Sequence, residues 1–141
     1  MIIFYEKRMI MKVTAIIEKN KNEFYAVYVN DILPGFGLNG MGASVEEAKT
    51  DMLLAFSEYK EMCLVENKLI PELEFEYKYD LASFFNYFNW INVSKLAAKA
   101  GINDSLLRQY KNGLAFASEK QALKLQDCLH QLGNELSTAR F

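Results

Sequence analysis

The sequence predicts an α+β chain in which a β-β-β-α-β domain is followed by an all-α domain. Three observations carry this. Residues 12–29 alternate apolar and polar side chains with a period of two. Val45, Ala48, Met52, Phe56 and Tyr59 recur at three- and four-residue steps, the period of one helical face. From Asp80 onward, every periodic segment has helical spacing.

The first expected strand is Lys12–Lys19, with Val13, Ala15 and Ile17 on one face and Thr14, Ile16 and Glu18 on the other. Asn20-Lys21-Asn22 is turn-rich, and alternation resumes over Glu23–Val29 through Tyr25, Val27 and Val29, so the pair reads as a hairpin. Asp31–Ala43 contains Pro34 and glycines at 35, 37, 40 and 42, which predicts irregular chain with a short third strand around Phe36–Asn39. Ser44 and Glu47 form an S-x-x-E capping signature for a helix that ends near Glu66–Lys68, before Pro71. Leu73, Phe75, Tyr77 and Tyr79 alternate with Glu74, Glu76 and Lys78, a strand covered on one side and wet on the other. The expected organisation is an extension over 1–11, a sheet domain over 12–79 and a helical domain over 80–141.

The helical domain opens with Leu81–Asn89, continues with Val93–Ala100 and Asp104–Asn112, and ends in a helix from Ser118 to about Leu136. The middle pair carries the spacing of a helix-turn-helix. Ala97 is small where a second helix must approach, and Gly101 can take the positive φ of the turn. Ile102 plugs the angle, and Leu107 and Tyr110 anchor the second helix from behind. That leaves Asp104, Ser105, Arg108, Gln109 and Asn112 on its outer face, and Arg, Gln, Asn and Ser are side chains that hydrogen-bond base edges and phosphates. Lys95, Asn103 and Lys111 complete the expected DNA-binding set. The pattern resembles the helix-turn-helix of phage-repressor-like regulators over about 45 residues. The competing reading is a plain helical bundle.

Charge distribution agrees with this placement. Residues 1–90 hold 9 basic and 14 acidic side chains, and residues 91–141 hold 7 basic and 4 acidic. The basic excess sits in the last third, where phosphate binding would need it. It is small, so DNA binding by a single copy should be weak and salt-sensitive, and dimerisation on a two-fold site would strengthen it. Leu123, Leu125, Leu129, Leu132 and Leu136 give the final helix more apolar surface than a short bundle needs, which makes it the expected dimer surface. Cys63 and Cys128 lack C-x-x-C spacing and read as reduced thiols, consistent with the cytoplasm. No stretch is apolar enough to span a membrane, and Glu6, Lys7 and Arg8 interrupt the start in a way unlike a signal peptide.

No enzyme chemistry is expected. Glu74 and Glu76 share a wet strand face, and Glu46, Glu47 and Asp51 suit a helix start. Neither set resembles a two-metal cluster. His130 has only Asp127 at helical ligand spacing, and the glycine-rich loop lacks the G-K-[ST] ending of a phosphate loop. No metal and no cofactor are expected. The aromatic run Phe84–Trp90 has helical spacing and reads as core or interface rather than as a base-stacking platform.

The stretches Asp31-Ile32-Leu33-Pro34-Gly35-Phe36-Gly37 and Gly42-Ala43-Ser44-Val45-Glu46-Glu47-Ala48 resemble the HicB antitoxin family over about residues 12–79. The tail Leu129-His130-Gln131-Leu132-Gly133-Asn134-Glu135-Leu136-Ser137 is similar to the form of that family fused to a helix-turn-helix. The chain departs from the pattern at Phe36, where a cysteine or similar residue is common. The resemblance implies a partial RNase H-like fold without nuclease activity that occludes a small HicA-like mRNA-cleaving toxin. It also implies a helix-turn-helix that represses the operon by binding operator DNA as a dimer or tetramer. The alternative is a stand-alone regulator or a protein-interaction module with no toxin partner.

Overall fold

The computed structural model describes residues 2–5, 8–20 and 23–141; the expected turn residues Lys21 and Asn22 lie outside them, as do Met1, Glu6 and Lys7. The fold is mixed α+β, and the chain divides into two compact units, Met1–Lys78 and Tyr79–Phe141.

The first unit contains β1 (Ile2–Tyr5), β2 (Arg8–Lys19), β3 (Tyr25–Val29), β4 (Asn39–Gly42), α1 (Val45–Val65) and β5 (Glu72–Tyr79). The strands run in the order β4-β3-β2-β5, and β1 also pairs with β2. β2 and β3 are antiparallel, with Ile17 opposite Val27 and Ala15 opposite Val29. These facing positions put the two apolar sets of the hairpin on one side of the sheet, where Val13, Ala15, Ile17 and Val27 are buried with Ala48, Met52 and Phe56 of α1. Ile16, on the opposite side of β2, is buried as well.

Two boundaries differ from expectation. Within the stretch expected as an extension, Ile2–Tyr5 runs antiparallel to Arg8–Met11, and β2 continues from there to Lys19. The third strand, expected at Phe36–Asn39, lies at Asn39–Gly42 instead. Packing decides this second shift. A Cβ on Gly40 would stand 2.4 Å from the carbonyl oxygen of Ala48, and one on Gly42 2.7 Å from the Ala48 nitrogen, so the β4 backbone lies directly on α1 where no side chain intervenes. Phe36 is left free of the ladder and stacks on Tyr59, with ring centroids 4.4 Å apart.

The start of α1 follows the expected signature with one change. Ser44 Oγ accepts from the Glu47 N–H at 3.1 Å, but Glu47 Oε2 accepts from the Ala43 N–H rather than from that of Ser44. Asp51 Oδ2 accepts from the Met41 N–H at 2.9 Å. Two carboxylates at the head of α1 thereby satisfy donors of the adjoining β4 segment. The helix ends as expected: Asn67 takes a positive φ of 55° and the Lys68 N–H reaches back to Cys63 O.

The second unit holds α2 (Ala82–Tyr87), α3 (Val93–Ala100), α4 (Asp104–Lys111), the two-residue strand β6 (Ala117–Ser118) and α5 (Glu119–Ser137). β6 departs from the all-α expectation. Ala117 is buried, and Ser118 stays extended so that its hydroxyl can accept from the Gln121 N–H and cap α5. The core combines Phe85 of α2, Val93, Leu96, Ala97 and Ala100 of α3, Ile102 of the turn, Leu107 and Tyr110 of α4, and Leu125 of α5. Among the described residues no helix is long and apolar enough to cross a membrane.

Candidate nucleic-acid interface

The site is built on α3, a three-residue turn and α4. Asn92 caps α3 by accepting from the Lys95 N–H at 3.0 Å. Gly101 ends it in the left-handed region, φ 67°, and the Ile102 N–H closes back onto Ala97 O at 3.0 Å. This is the Schellman geometry, and it drops Ile102 into the core beside Ala97. Asn103 then caps α4, its Oδ1 accepting from the Leu106 N–H at 3.2 Å. The two caps and the glycine between them set the direction of α4. Leu107, fully buried, and Tyr110, 4% exposed, hold its inner face, and burial raises the Tyr110 hydroxyl above the ordinary tyrosine range.

The outer face of α4 is polar. Ser105, Arg108, Gln109 and Asn112 are exposed, Asp104 is at the margin and Lys111 is half-buried. Lys95 is exposed on the neighbouring α3. The eight residues expected at the site therefore divide by task. Asn103 serves α4 as its cap, and Asn112 lies at the other end as the C-cap residue. Ser105, Arg108, Gln109 and Asn112 keep exposed side chains along α4 to meet a ligand, while Lys95 borders an apolar groove between α2, α3 and α5.

Arg108 is already engaged. Its Nε donates to Asp104 Oδ1 at 3.3 Å, and its Nη2 forms an ion pair with Asp104 Oδ2. This hydrogen bonding holds the Asp104 carboxyl below the ordinary aspartate range, helped by a hydrogen bond from Ser94 of α3, and raises the Arg108 guanidinium above its usual value. Asp104 is thus not a free acceptor on the outer face of α4. The signal for the pair was present in the i, i+4 spacing of opposite charges. Lys124 is also engaged, at the turn itself, where its Nζ contacts Gly101 O.

A second feature of this unit is apolar. Phe84, Phe88, Trp90, Leu129, Leu132 and Leu136 line an open groove of about 610 Å³ between α2, α3 and α5. Trp90 is 72% and Leu136 66% exposed. Among the described residues, no group of three or more His, Cys, Asp or Glu side chains could hold a metal ion. Glu74, Glu76 and His130 are exposed, Cys63 is a buried free thiol and Cys128 a half-buried one.

The chain matches no protein-family model, and no curated protein and no solved structure matches it.

Proposed function

We propose that the chain is a DNA-binding regulator in which α3, the Gly101 turn and α4 form a helix-turn-helix and α4 enters the major groove. The observation that carries this is the two-sided character of α4: Leu107 and Tyr110 inward, Ser105, Arg108, Gln109 and Asn112 outward. Caps at Asn92 and Asn103 leave few backbone groups of the turn unsatisfied, so the exposed face is held on a rigid support.

The regulator acts as a homodimer. The second copy covers the groove between α2, α3 and α5, whose apolar lining includes the exposed Trp90 and Leu136. An exposed apolar patch of this kind can meet its own copy across a two-fold axis. Two copies double the phosphate contacts that a sparsely basic single unit can make.

The first unit serves as the partner-binding half, in keeping with the HicB-like resemblance of residues 31–48. Its occupant is a small HicA-like toxin, neutralised by occlusion, with no reaction catalysed by this chain. Exposed apolar side chains at Leu54, Leu64 and Val65 of α1 and at Leu69 beyond it support a protein partner there.

A gel-shift with the DNA upstream of the coding sequence, at two salt concentrations, tests the regulator reading. Binding should weaken steeply with salt, and Arg108→Ala or Gln109→Ala should each cost about tenfold or more in affinity. Unchanged binding in both variants would remove α4 from the interface. Co-expression with the neighbouring small basic open reading frame tests the toxin half: absence of such a frame leaves a stand-alone repressor.

A further inference from the structure

The Asp104–Arg108 pair lies on the outer face of α4, and its geometry is specific. Arginine has five N–H donors on a planar fork. Asp104 takes the Nε hydrogen and one Nη2 hydrogen along one side of that fork. The outer edge, with one hydrogen from each Nη, stays free and points away from the carboxylate. Two parallel donors match one base edge in the major groove. Guanine alone offers two adjacent acceptors there, O6 and N7; adenine and cytosine present an amino donor, and thymine a single acceptor beside a methyl group.

Resting on the DNA-binding reading above, we propose that Asp104 is a positioning residue that aims Arg108 at one guanine in each half-site of the operator. The carboxylate acts in two ways. It orders the guanidinium before DNA arrives, so less side-chain freedom is lost on binding. It also places a negative charge beside the phosphates, which lowers affinity for DNA of arbitrary sequence. Both effects widen the ratio between specific and non-specific binding, the quantity that decides occupancy among many competing sites.

The test is selection of bound duplexes from a randomised library by the full chain, its Arg108→Ala, Asp104→Ala and Asp104→Asn variants. The unsubstituted protein should select sites with guanine fixed at one position of each half-site. Arg108→Ala should randomise that position and retain the others. Asp104→Ala and Asp104→Asn should weaken the guanine preference at that same position by about tenfold while raising affinity for random-sequence DNA. The asparagine variant keeps the side-chain volume, so a folding defect in the alanine form does not hide the result. Guanine preference retained in both Asp104 variants, or unaffected in Arg108→Ala, overturns the inference while the DNA-binding reading stands. Failure of the unsubstituted protein to select any duplex overturns both.

Discussion

Lys124 Nζ donates to the carbonyl oxygen of Gly101 at 2.8 Å, joining α5 to the end of α3 across 23 residues of sequence. The acceptor belongs to the residue just past a helix C-terminus, where unsatisfied carbonyls carry partial negative charge and a lysine is well placed. Lys124→Met keeps the aliphatic stem and removes the charge, so it should lower stability by about 1 kcal/mol. Gly101→Ala should lower it by a similar amount, because a side chain at φ 67° costs roughly 1–2 kcal/mol. Urea denaturation of both single variants and the double variant checks this. The added Cβ would lie 3.5 Å from Lys124 Cε, in ordinary contact, so the strain at Gly101 is in its backbone.

Gly40 and Gly37 lie in the same segment and should behave oppositely. A Cβ on Gly40 would stand 2.4 Å from Ala48 O and 2.5 Å from Met52 N, both backbone atoms that cannot yield alone. Gly40→Ala should therefore push β4 off α1 and cost about 3 kcal/mol. A Cβ on Gly37 meets nothing within 4 Å and its φ lies outside the left-handed region, so Gly37→Ala should be neutral or slightly stabilising. Thermal melts of the two variants distinguish a packing glycine from a loop glycine.

The Asp104 carboxyl should titrate below the ordinary aspartate range when followed by carboxyl-carbon NMR, and return toward that range in Arg108→Ala. Because the pKa is depressed in the fold, the pair's contribution to stability is fully present above the unfolded aspartate value of about 3.9. It is lost as pH falls through the lowered folded value. An unshifted midpoint would mean that the pair does not persist in solution.

Leu136→Lys places a charge at the exposed rim of the apolar groove. If the proposed dimer forms through this groove, the change should yield a monomer in sedimentation velocity and weaken binding to the upstream DNA by about tenfold or more, with the circular dichroism of the chain unchanged. A dimer that survives Leu136→Lys and also Trp90→Ala would move the two-fold contact elsewhere.

The second unit was readable because its signals are local. Asn92, Gly101 and Asn103 act on backbone groups within a few residues of themselves, so spacing alone locates α3, the turn and α4. The outward positions Ser105, Arg108, Gln109 and Asn112 follow from the helical period once Leu107 and Tyr110 are set inward. The state of those side chains did not follow. Spacing places Asp104 on the outer face, and the fold makes it the partner of Arg108. No local pattern marks Lys124, which binds the carbonyl of Gly101 from another helix.

Period and capping chemistry in this sequence therefore determined the α+β class, the hairpin, the α1 start and the two short helices, because each depends on neighbours along the chain. Only tertiary structure decided that β4 begins at Asn39, that Phe36 stacks on Tyr59, and that Ala117–Ser118 is extended. Those features depend on groups brought together from distant positions, above all the backbone of α1 against Gly40, and no local pattern encodes that approach.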